Sequence, residues 1–207
     1  MPDSSNDMLV ERLSQGESSV LAELFASCRN RLKQMVSFRM DRRLNGRVDP
    51  SDILQEAYID ATQRVDHFLK IYPQMSIYVW LREVTTQRLI DVHRKHLGTQ
   101  KRNVDNEVSI NRRGSQTSTS LAVHLVGHLT SPSQIAIKLE LMNKLEEALD
   151  GMDAIDREVL ALRHFEELTN NEVAEVLDIQ KSAASNRYIR ALTRLKSILA
   201  EIPGFGE

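Results

Sequence analysis

Cysteine is almost missing: the 207 residues contain one, Cys28. A single thiol closes no disulfide within the chain, which excludes a disulfide-stapled scaffold and fits a reducing compartment. Cys28 falls on a helical pattern with Phe25 and Leu32, a packing position rather than a reactive one. Proline and glycine number only 5 and 8, and aromatics are 5% of the chain, so collagen-like and Pro/Gly-rich disordered classes drop out. No apolar run approaches the roughly 18 residues of a membrane span. The opening MPDSSNDMLVERLSQ has neither a basic leader nor a long apolar stretch. The expectation is a cytoplasmic protein without membrane insertion. Neither sign of charge dominates, at 27 Lys+Arg against 29 Asp+Glu, so no global basic field advertises a polyanionic partner. What matters is local: acids outnumber bases after Gln134, yet the bases gather after Lys181.

What the chain does have is helix-forming residues, with 41% hydrophobic content and long segments of Leu, Ala, Glu, Arg and Gln. Asp7 to Gln15 reads as a short helix that Gly16 interrupts. Ser18 or Ser19 is placed to cap a second helix with Leu21, Leu24, Phe25, Leu32, Met35, Val36 and Met40 on one face, ending at Asn45-Gly46. Asp49-Pro50-Ser51-Asp52 is a helix start, with Ser51 or Asp52 as cap, and predicts a helix over Ile53–Val65. Lys70 to Met75 reads as a loop. Ser76 then caps a helix over Ile77–His96, in which Trp80 is a core residue because its burial removes so much apolar area from water. Gly98 to Pro132, including NRRGSQTSTS, is a linker by composition, with one patch, Leu121–Leu129, apolar enough for a transient helix or docking segment.

Beyond the linker, a helix over Gln134–Leu149 breaks at Gly151, and Asp153 caps Ile155–His164. Thr169 caps Asn170–Leu177, and Glu172 completes a capping box. A last helix spans Lys181–Ala200 before Pro203-Gly204. Val173, Ala174 and Leu177 face inward, Ile179 plugs the turn, and Ala184, Tyr188, Ala191, Leu192, Leu195 and Leu199 form a buried stripe. Asp178 sits in the turn, where an aspartate tolerates a left-handed backbone. That pattern is a helix-turn-helix. Lys181, Ser182, Ser185, Asn186 and Arg187 fall at the exposed start of its second helix, the end that reaches base edges, with Arg190 and Arg194 placed for phosphates. The fold class is therefore all-α: two small helical domains joined by a flexible linker, the second a helix-turn-helix domain.

Three segments occur in an order that resembles extracytoplasmic-function (ECF) sigma factors of the sigma-70 family: DPSDILQEAYIDA, IYVWLREVTTQRLIDVHRK and LTNNEVAEVLDIQKSAASNRYIRALTRL. The resemblance implies a region 2-like domain over 1–97, a linker over 98–133 and a region 4-like domain over 134–202. It implies core RNA polymerase, promoter DNA and an anti-sigma factor as partners. Asp52, Gln55 and Glu56 match the acidic-amide face that meets the polymerase clamp helices. Trp80, Arg82, Arg88, Asp91, Arg94 and Lys95 match the helix that recognises and melts the −10 element; Arg82, Arg88, Arg94 and Lys95 are its phosphate contacts. Lys70–Ser76 matches a loop that captures a flipped base, and Lys181, Ser182, Ser185, Asn186, Arg187 and Arg190 match the −35 reader. Gln87 stands where the family often has Asn, and Ala183-Ala184-Ser185 replaces a common Thr-Val-Lys. Lys70–Gln74 is unlike the family's Gly-rich loop. Promoter sequence and flipped base therefore do not transfer from a relative.

The residues also leave three other classes to weigh, of which a pure protein-interaction module is the weakest, since it would not need Arg187, Arg190 and Arg194 on the last helix. A stand-alone helix-turn-helix regulator would use the same C-terminal module, but no receiver or ligand-binding pattern precedes it. An enzyme would need a phosphate loop, a nucleophile motif or a metal set. His93 and His96 are the nearest approach to a metal set, and Arg94 and Lys95 between them suit a basic DNA face better. No catalytic residue, metal or cofactor is expected.

Overall fold

The computed structural model describes residues 4–97, 108–127 and 135–201. Among these, nine α-helices and no strand occur, and the chain divides into two units, Met1–Arg102 and Asn103–Glu207.

The first unit holds α1 (Ser4–Ser14), α2 (Val20–Arg39), α3 (Pro50–Ile71) and α4 (Ile77–Leu97). Gly16, at φ +93°, turns the chain between α1 and α2, a backbone that an L side chain rarely adopts. Neither Ser18 nor Ser19 caps α2 through its side chain in the way expected; Ser19 is already helical and makes no such bond. The cap of α3 is also shifted: Asp49, not Ser51 or Asp52, accepts the amide of Ser51, at 2.7 Å. Pro50 then occupies the first turn, where its missing N–H costs nothing. This helix runs to Ile71, six residues beyond the expected Val65, because Phe68 is fully buried and continues the inward face. Lys70 and Ile71 therefore lie in α3 rather than in the loop, and cis-Pro73 follows.

Leu24, Leu32, Met35, Ile53, Leu54, Phe68 and Leu81 are the fully buried centre of this unit. Trp80 is 3% exposed and stacks on Phe68 with ring centroids 4.7 Å apart, as its size predicted. His93 Nε2 accepts the backbone amide of Asp41 at 3.2 Å, so this ring nitrogen ties α4 to the short 3-10 turn Arg42–Leu44. Burial pushes the His93 pKa down, keeping the ring in the neutral form that accepts.

The second unit contains α5 (Val108–Gly127), α6 (Ile135–Asp150), α7 (Ala154–Leu160), α8 (Asn170–Leu177) and α9 (Lys181–Glu201). A π-helical turn, Ala161–Phe165, extends α7. The stretch that reads as linker thus contains a helix, α5, which packs on α6 and α7. Three of its hydroxyl residues, a disorder signal by composition, have folded partners: Thr117 Oγ1 donates to Glu158 at 2.9 Å and Ser118 Oγ to Asp150 at 2.7 Å. Thr119 Oγ1 donates to Glu146 at 2.5 Å. Leu121, Ala122 and Val126 are buried beside them, which places the apolar patch as a docking segment. The expected positions Leu129 and Gln134 and the Pro203-Gly204 stop lie outside the described residues.

Candidate nucleic-acid interface

The second unit ends in a helix-turn-helix. Thr169 Oγ1 accepts the amide of Glu172 at 3.3 Å, and the Glu172 carboxylate accepts the amide of Thr169 at 2.7 Å. This reciprocal cap sets the entry of α8. Asp178 ends the helix at φ +51°, ψ +50°, the left-handed conformation expected of it. The Ile179 amide returns to the Ala174 carbonyl at 3.0 Å, closing a Schellman-type turn that sends the chain into α9.

Helix α9 buries Ala184, Ala191, Leu195 and Ile198. Tyr188 and Leu199 are half-buried, while Leu192, expected inward, is exposed. The correction is rotational: Ile198 rather than Leu192 completes the stripe. On the other side Lys181, Ser182, Ser185 and Asn186 are exposed together at the start of the helix. The Lys181 carbonyl accepts from Asn170 Nδ2 at 2.9 Å, which locks the start of α9 to α8.

The two arginines assigned to this face are placed differently. Arg187 is half-buried, and its Nη1 donates to Asp156 at 2.8 Å and Asp153 at 3.1 Å. Arg190 Nη2 donates to Asp156 at 2.7 Å, and its Nε bonds the other oxygen of the same carboxylate. Asp156 is 4% exposed. The Arg190 side chain, then Arg187, holds its carboxyl below the usual carboxylate range against the cost of burial. Asp153 also caps α7, accepting the amides of Ile155 and Asp156. The arginines therefore staple α9 to the N-terminal turn of α7. A two-helix pattern read from α8 and α9 alone could not show this, because both acids lie on a third helix. The signal available in the sequence was Asp153 and Asp156 three residues apart at a helix start, matched by Arg187 and Arg190 three apart.

In the first unit, Asp52, Gln55 and Glu56 are exposed on α3, with Ile59 exposed one turn further along the same face. The basic residues of α4 separate into three situations. Arg94 and Lys95 are exposed in the last turn, Arg94 lying 3.7 Å from Asp91. Arg88 is half-buried, donating from Nε to Asp60 at 3.0 Å and lying 3.5 Å from Glu56. Arg82 is only 7% exposed, its position on α4 turned to the interior with Leu81, Val84 and Thr85. Between α3 and α4 an open groove of about 400 Å³ is lined by Arg47, Asp52, Glu56, Arg88, Asp91 and Lys95, among others. Its lining carries both signs of charge, and sequence reading missed Arg47 on its wall and Asp60 as the partner of Arg88.

A helix-turn-helix with short polar side chains at the head of its second helix defines a DNA-binding module, here preceded by a helical unit with an exposed acidic-amide face. The model of the family described as ECF sigma factor matches residues 4–200. Among curated proteins, the chain is 24% identical over 193 residues to the ECF RNA polymerase sigma factor SigW of Bacillus subtilis, covering 93% of this chain and 96% of that one. It is 21% identical to the ECF RNA polymerase sigma-E factor of Haemophilus influenzae over 187 residues, 90% of this chain and 91% of that one. Among solved structures, CnrH in complex with the cytosolic domain of CnrY aligns with a TM-score of 0.52 at 19% identity, over 95% of this chain and 97% of that one. At that identity the likeness speaks for the fold alone. The chain belongs to the ECF sigma factor family.

Proposed function

We propose that the protein is a promoter-specificity subunit: it binds core RNA polymerase and directs it to particular promoters, without catalytic residues or a cofactor of its own. In this reading residues 1–97 bind core polymerase and open the −10 element, and residues 134–202 recognise the −35 element. The observation that carries the reading is the exposed polar start of α9, Lys181, Ser182, Ser185 and Asn186, held behind the left-handed turn at Asp178 in a chain matched end to end by the family. Asp52, Gln55 and Glu56 offer acids and an amide on one helical turn, a chemistry suited to a basic protein surface. Arg94 and Lys95 supply exposed cations in the last turn of α4 for phosphates, and Arg88 contributes from its acidic cradle. The work takes place where the polymerase is, in the cytoplasm. CnrH is held by the cytosolic domain of another protein, and an anti-sigma partner is proposed for this chain on that pattern.

Two elements about two helical turns apart on DNA are separated by roughly 70 Å. A grip on one element alone is weak, and tethering both grips to one polymerase raises the effective concentration of the second. The test is reconstitution. Purified protein and core polymerase are offered a genomic promoter library, and run-off transcripts are sequenced. The expected result is near-stoichiometric core binding and transcripts from a defined promoter subset. Loss of core binding in Asp52→Lys/Glu56→Lys, with helicity intact, supports the α3 assignment. Equal binding of −10 and −35 DNA with and without core polymerase would contradict it.

A further inference from the structure

Ile189 is a β-branched apolar residue, 62% exposed, at the centre of the solvent face of α9. It lies seven residues after Ser182, four after Ser185, three after Asn186 and four before Thr193, spacings that share one helical face. The buried residues Ala184, Ala191, Leu195 and Ile198 occupy the opposite side. Its neighbours on the stripe are short: two serines, an asparagine and a threonine. Short flanks let a helix approach a groove floor closely, so Ile189 is the longest apolar group on the face that would enter.

The arginines do not compete for that role. Arg187 is turned to Asp153 and Asp156, and Arg190 has its Nε and Nη2 edge on Asp156. Thr193 Oγ1 donates to the Ile189 carbonyl at 3.0 Å, so its hydroxyl hydrogen is spent within the helix. The stripe thus offers hydroxyl and amide groups at its start and an apolar group one turn further along. In the major groove the apolar feature of a base edge is the C5-methyl group of thymine, which no other base carries.

Resting on the reading of α9 as the −35 helix, we propose that Ile189 is a specificity-determining residue that reads a thymine methyl in the upstream promoter element, while Arg187 and Arg190 serve as scaffold. The energetic logic is that of any exposed apolar side chain: water leaves both the isoleucine and the methyl group when they meet.

The experiment uses reconstituted holoenzyme and the promoters it selects from the library. Each thymine of the upstream element is replaced singly by deoxyuridine, which deletes only the methyl. Native holoenzyme should lose about fourfold in promoter binding at one or two positions, the effect of moving one methyl from an apolar contact to water. Ile189→Ala should lose a similar factor on thymine DNA and become indifferent to uracil at those positions, while Ile189→Val keeps most of the discrimination. Thermal unfolding of both variants should match native protein, since the residue is exposed. Native indifference to every thymine-to-uracil change overturns the inference. So does an Ile189→Ala loss equal on all templates with the methyl effect intact, which assigns Ile189 to a contact with polymerase instead. Failure to select any promoter refutes the sigma reading itself, a result distinguishable from both.

Discussion

Replacing Asp156 with asparagine should loosen the second unit without touching the first. The carboxylate is buried and accepts from Arg187 at 2.8 Å and from two atoms of Arg190. Asparagine keeps the shape, but one oxygen becomes an NH₂ group facing guanidinium donors, and the remaining oxygen is a neutral acceptor rather than part of an anion. Arg190 is exposed and its share is screened by solvent, so the figure rests on the buried acceptor and half-buried Arg187. One charge-assisted bond lost from such a site costs about 1.5–3 kcal/mol, and the lower end applies because Arg187 keeps Asp153. The pH dependence has a definite sign. The Asp156 carboxyl titrates below its ordinary value in the folded protein. Its contribution is therefore complete above the unfolded pKa of about 3.9 and is lost as pH falls through the depressed folded value. Hydrogen exchange of α7 and α9 is the assay, run at neutral pH and again near pH 3. Trp80, the one tryptophan, lies in the first unit, and its fluorescence serves as an internal control. Faster exchange in α7 and α9 at neutral pH, converging with native protein in acid, is expected. Identical exchange in the two proteins at neutral pH would refute the staple.

Three further outcomes follow from the same packing. Phe68→Ala should cost about 3–5 kcal/mol, because the ring is fully buried against Trp80, and Trp80 fluorescence in urea would record the lowered midpoint. Asp178→Val should destabilise the helix-turn-helix by at least about 1 kcal/mol by placing a branched Cβ in a left-handed backbone, while Asp178→Gly is neutral or stabilising; hydrogen exchange of α8 separates the two. Ser118→Ala should release α5 by removing the donor to Asp150 from a buried site while adding no bulk, seen as faster exchange over 117–126 with α8 unchanged.

Legibility differed by the range of the interaction responsible. The Thr169–Glu172 capping box and the left-handed Asp178 are local devices, and both appear where local chemistry requires them. Trp80 is buried as its area demands. Helix ends were less legible: α3 continues to Ile71 because Phe68 finds a core to enter, and the one signal for it was Phe68 itself, seven residues after Ala61 on the same face. Arg82, Arg88, Arg187 and Arg190 read alike as cations on helices. Arg82 turns inward, and the other three are set apart only when Asp60 of α3 and Asp156 of α7 come within bonding distance.

By itself, the sequence determined that the chain is helical, that it ends in a helix-turn-helix and that it carries the ECF pattern from end to end. Period, caps and motif order are properties of neighbours along the chain, so they survive without coordinates. Only the tertiary structure decided that a Ser/Thr-rich stretch folds as α5, that Arg82 is interior and that two arginines of the recognition helix hold the domain together. Each of these depends on a carboxylate or an apolar surface many residues away, and the low cost of a polar group in water gives no hint of the partner that will replace that water.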